Sequence, residues 1–115
     1  MAISSTVARF RKTGGTLDIT PSAAIAAGAI KVVGGVTCIA LSAIPANTPG
    51  ALKVLQRGEV VEVTTNEAIG ATNANTAIYV DSSGLVTKTS TSNTLIGYTA
   101  AAVGATDLSF EVVCA

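Results

Sequence analysis

At 115 residues the chain is sized for one domain with a modest core, and 49% of it is hydrophobic while only 3% is aromatic, with no Trp and no His. Charged residues make up 12%, seven basic balancing seven acidic. These totals exclude histidine-based acid–base and triad chemistry, a His-containing zinc site and the clustered cationic footprint of a nucleic-acid-binding domain.

Met1 to Gly15 reads as an arm. Arg9, Arg11 and Lys12 surround Phe10, and Gly14-Gly15 gives a flexible break. Two readings fit: a frayed, solvated terminus, or an arm that orders on a partner, with Phe10 as apolar anchor and the cations meeting an acidic surface. Thr16 to Thr20 alternates cleanly, with Leu17 and Ile19 on one side, and Pro21 ends it, so a half-buried strand is expected. Ser22 to Ala27 is Ala-rich but too short for a stable helix, and is expected to be loop or turn.

Ala29 to Val33 and Val36 to Leu41 flank Gly34-Gly35 as a hairpin. Hydropathy alone would flag Ser22 to Ile44 as a membrane span. Lys31 near its middle and the breaks at Gly28, Gly34 and Gly35 argue against one. A signal peptide fits less well, because Thr-Gly-Gly and Asp18 follow the basic residues. Ser42 to Gly50, with Pro45, Asn47 and Pro49, reads as a loop; Ala51 to Arg57 and Glu59 to Thr64 read as strands around Gly58. Asn66 to Asn75 is small and polar, with room for a helical turn at Glu67 to Gly70.

Ala77 to Asp81 and Leu85 to Ser90 flank the turn Asp81-Ser82-Ser83-Gly84, where Asp bonds back to the backbone and Gly takes φ > 0. Ser90 to Asn93 turns again into a strand from Thr94 to Tyr98, so these segments are expected to form a meander on which the rest packs. Asp107 to Cys114 is the last strand, with Leu108, Phe110 and Val112 inward. The fold class is therefore all-β. It is a small antiparallel β-barrel or sandwich of short strands, with the arm over residues 1–15, a single β domain over 16–115 and at most short helical turns. The sparse charge suggests a surface covered by neighbours, hence an oligomer or part of an assembly, against the plainer alternative of a small Ala-rich monomer.

Chemistry-bearing patterns are scarce. No phosphate-loop or dinucleotide fingerprint occurs. Glu59 and Glu62 are close in sequence but fall on opposite faces of a strand. Cys38 and Cys114 form no metal pattern and read as buried free thiols, with a disulfide as the alternative. No residue is assigned to catalysis, a cofactor or a metal, and the protein is not expected to be an enzyme.

From Gly14 onward the layout resembles a family of small tailed-phage capsid proteins, the DUF2190 type. The residues that carry it are Gly15 to Thr20, Ala27 to Gly35, the Gly-Ala-Leu-Lys-Val run from Gly50, Ile78 to Asp81, and Thr94 to Gly97 running into a final strand. The resemblance implies a capsid decoration, or cement, protein. Such a protein is an all-β structural module on the outside of the expanded phage head, often a trimer at three-fold or quasi-three-fold positions. The implied partners are the major capsid protein and other copies of the chain, without nucleic acid or membrane. The implied location is the virion head exterior after synthesis in the host cytoplasm. The alternative is a head-fibre or carbohydrate- or receptor-binding β module. Arg9, Phe10, Arg11 and Lys12 are the candidate partner-contact residues.

Overall fold

The computed structural model describes residues 4–5 and 15–115. Within them the chain forms nine strands in two antiparallel sheets, and no helix. The first sheet holds β1 (Thr16–Ile19), β2 (Ile30–Val33), β3 (Val36–Ile39) and β4 (Gly50–Val54), in the order β1-β4-β3-β2. The second holds β5 (Val60–Thr64), β6 (Ala77–Val80), β7 (Val86–Thr87), β8 (Thr94–Thr99) and β9 (Ser109–Cys114), in the order β5-β9-β8-β6-β7. Neither sheet closes on itself, so the sandwich alternative fits and the barrel does not.

Alternation decides which side of the first sheet is covered. Leu17 pairs with Leu52 and Cys38 with Val54, which puts these side chains on one face. Ile25 and Ile44, from the β1–β2 and β3–β4 loops, close over that face and complete a core with Cys38, Ala40 and Leu52. Gly50 makes room for this closure, because a Cβ there would lie 2.8 Å from Cγ2 of Ile44. Gly34 and Gly35 carry the β2–β3 turn at φ 58° and 82°, the left-handed values of a tight two-residue hairpin.

Omitting β7, the second sheet repeats the first. In both, the first strand lies beside the last and the middle pair completes the sheet, a Greek-key-like order. The loops repeat as well. Ile25 and Ile44 exchange two backbone hydrogen bonds of 2.8 Å each, and Thr72 and Val103 exchange two of 2.9 and 2.8 Å. In all four loops a two-residue turn beginning with Ala follows the bridging residue: Ala27-Gly28, Ala46-Asn47, Ala74-Asn75 and Ala105-Thr106. The second turn residue has positive φ at Gly28, Asn47 and Asn75, a backbone state that Gly and Asn tolerate best. The bonding beside the turns also corresponds. Gly28 N–H donates to the Ala40 carbonyl (2.6 Å) and Ala40 N–H to that of Ala29 (3.0 Å). Asn75 N–H donates to Thr99 (2.7 Å) and Thr99 N–H to Thr76 (2.9 Å). The chain is an internal structural duplication of one four-stranded unit.

The second core contains Val63, Ile78, Val80, Ile96, Val103, Phe110, Val112 and Cys114. Ile30 and Leu55 from the first half pack against it. A register shift between β6 and β8 lets the consecutive residues Ile96 and Gly97 both be buried. Thr99 is buried as well, and its hydroxyl is satisfied: Oγ1 accepts from Thr76 N–H and donates to the Asn73 carbonyl, each at 2.9 Å.

Several expectations need correction. β7 is two residues long and lies at the sheet edge, while β6 sits between β7 and β8, so these strands are not a simple meander. The polar run Thr87, Lys88, Thr89 suits an edge that pairs on one side only. The first sheet has its own core and does not merely pack on these strands. Leu108 is exposed, because the strand starts one residue later, at Ser109. The segment Ser22 to Ile44 is two short strands with loops, and no helix among the described residues is long and apolar enough to cross a membrane. Glu67 to Gly70 forms no helical turn.

A Cβ added at Gly97 would collide with the Val113 carbonyl, which the β8–β9 ladder holds in place. Gly97→Ala should therefore lose about 3 kcal/mol of unfolding free energy by overpacking. A urea titration should show this as a lower midpoint, and an unchanged midpoint would mean that the two strands separate easily there.

Candidate functional site

Arg9, Phe10, Arg11 and Lys12, the residues expected to meet a partner, lie outside the described residues. The surface of residues 15–115 is described. All seven acidic residues fall in 15–115, with four of the seven basic ones, so residues 15–115 carry a formal −3 and residues 1–14 a formal +3. A balanced chain is thus divided into two oppositely charged parts.

The outer face of the second sheet is unusually apolar. Val60 pairs with Val113, Val113 with Tyr98, and Tyr98 with Ala77, so a row of apolar side chains runs across four strands. Val60 is 53% exposed and Tyr98 40%. Beside the row, Glu62 pairs directly with Glu111, two like charges that repel across the strands. Val32, Val33 and Val36 leave the tip of the β2–β3 hairpin apolar too. Sequence alternation alone could not find these positions, because a valine reads the same on either face.

A cleft of about 660 Å³ lies between the two halves. Ile30 and Leu55 line it from the first half, and Val61, Ile69 and Val86 from the second. The Asp81–Gly84 turn stands at its edge. Asp81 Oδ1 accepts from Ser83 N–H (2.9 Å) and Leu85 N–H (3.0 Å), the turn-forming role expected of it. Gly84, at φ 81°, lies so close to β2 that a Cβ would come within 2.6 Å of the Ile30 carbonyl oxygen.

The connection between the halves, Leu55 to Glu59, is braced by a carboxylate. Glu59 Oε1 accepts from Gln56 N–H at 2.7 Å and from Lys53 Nζ at 3.0 Å, and Oε2 lies 2.9 Å from the same Nζ. The hydrogen bond from Lys53, then that from Gln56, holds the Glu59 carboxyl below its ordinary value of 4.5. Cys38 and Cys114 are buried and unpaired. Burial raises both thiols, with the Glu59 charge adding to the effect at Cys114, so both favour the unreactive protonated form. Among the described residues no cluster of three His, Cys, Asp or Glu side chains could hold a metal.

A family model described as phage cement protein matches residues 11–114. The chain belongs to the phage cement protein family, a structural class of virion capsid proteins. The match includes Arg11 and Lys12 and begins just after Arg9 and Phe10. No curated protein and no solved structure matches the chain.

A carboxyl whose folded value is lowered adds stability above its unfolded value and loses it as pH falls through the folded one. Glu59 should therefore contribute above about pH 4.5 and stop contributing at more acid pH. Glu59→Gln should lower Tm at pH 7 and reduce the difference between pH 7 and pH 3. Thermal melts at the two pH values check this, and identical pH dependence in both proteins would remove Glu59 from the account.

Proposed function

We propose that the protein is a decoration protein that binds the outer surface of the expanded phage head and stabilises it. The observation that carries this reading is the family match over residues 11–114. Three features that suit contact support it: an apolar row across the second sheet, an apolar hairpin tip and a charge divided along the sequence. Residues 16–115 act as one β domain and 1–15 as its arm. The active form is a homotrimer at three-fold or quasi-three-fold positions, made in the host cytoplasm and carried on the head exterior. Arg9, Phe10, Arg11 and Lys12 are contact residues, the cations meeting acidic surface and Phe10 anchoring the arm.

The mechanism is linkage. A protein that binds the expanded shell and not its free subunits shifts the equilibrium toward the shell, and many copies sum their effects. No bond is made or broken in this scheme.

Light scattering combined with co-sedimentation on empty expanded heads tests the proposal. The full chain should be a discrete trimer that pellets with heads at a fixed ratio. Removal of Met1 to Thr13 should weaken pelleting at least tenfold and leave the β circular-dichroism spectrum intact. A full chain that leaves the heads bare would overturn the reading, and a truncation that unfolds would remove the arm's assigned role.

A further inference from the structure

The cleft between the halves has no role in the scheme so far. Ile30, Leu55, Val61, Ile69 and Val86 pack against the second core but are only partly buried, and all five line the cleft. Its volume, about 660 Å³, falls within the range of about 300–1,000 Å³ typical of binding sites. Glu67 lines it as well and is exposed, and Glu62, beside Glu111 on the outer face of the sheet, borders it at the rim. Lys88, whose Nζ donates to Thr72 Oγ1 at 3.2 Å, adds a cation on the same cleft. With two carboxylates to one ammonium around it, the occupant that fits is an apolar side chain carried among positive charges.

We propose that the cleft receives the arm of a neighbouring copy, with Phe10 among the five apolar side chains and Arg9, Arg11 and Lys12 against Glu62 and Glu67. This rests on the reading of the protein as a homotrimer. Three arguments support it. The arm is +3 and the body −3, so the charges are complementary between copies. An aromatic side chain seated in an apolar pocket within a charged rim is a common form of interface anchor. An arm passed head-to-tail into a neighbour's cleft is a heterologous contact, the kind that a closed ring such as a trimer is built from.

The chain has no Trp, so Phe10→Trp installs a single indole reporter in the full chain. The proposal expects a trimer by light scattering, with blue-shifted indole emission and acrylamide quenching reduced several-fold from that of free N-acetyltryptophanamide. Dilution to monomer should expose the reporter. Adding the double substitution Glu62→Lys and Glu67→Lys, at two exposed positions, should expose it too and weaken the trimer at least tenfold, with the β spectrum unchanged. An exposed reporter in an intact trimer would overturn the arm–cleft contact while leaving the trimer standing. A shielded reporter in a monomer would assign the cleft to the chain's own arm and overturn the proposal. A monomer with the reporter exposed would overturn both this contact and the trimer.

Discussion

The fold depends on backbone pairing between loops. Each sheet has one face to cover, and the described chain has no helix to cover it with. The loops do this work, in pairs. Ile25 bonds Ile44 over the first sheet, and Thr72 bonds Val103 at the second. Burying loop backbone is costly unless its N–H and C=O groups find partners. Reciprocal bridges supply those partners, so Ile25, Ile44 and Val103 can enter the cores. The recurring Ala in the turn after each bridge keeps these segments small, and Gly or Asn provides the left-handed residue at three of the four turns.

Duplication gives two cores, and three features join them. One is the Leu55–Glu59 connection, braced by Glu59 on Lys53 and Gln56. Another is the seating of Ile30 and Leu55 on the second core. The last is the close approach of the Gly84 turn to the Ile30 carbonyl. Between these joints the halves leave a cleft, and on the far side of the second sheet they leave an apolar row. Both suit a protein whose activity is contact. Both thiols are buried and raised, so neither is presented as a nucleophile.

Much of the fold was legible in the sequence. The alternation of Leu17 and Ile19 defined β1, Gly34-Gly35 marked the first hairpin, and Phe110 and Val112 fixed the buried face of β9. Asp81 was legible as a turn former because its side chain acts within four residues. Longer-range features were not. Whether β7 lies inside or outside β6 depends on tertiary pairing, which a hairpin pattern does not encode. The duplication was hidden because the bridging residues are Ile, Ile, Thr and Val at uneven spacing, and only the following Ala recurs. For the proposed contact residues, the sequence offered the charge and aromatic pattern of Arg9 to Lys12, while the acidic and apolar surfaces of the described residues emerge only when distant strands are brought together.

The claim that the loops are structural members of the sheets is tested most directly by amide hydrogen exchange at Ile25, Ile44, Thr72 and Val103. All four amides donate across a bridge. The account predicts protection comparable to that of the amides of β4 and β9, with all four lost together in global unfolding. Exchange at the rate of exposed loop amides such as those of Ser82 and Thr91, while the strands remain protected, would contradict it.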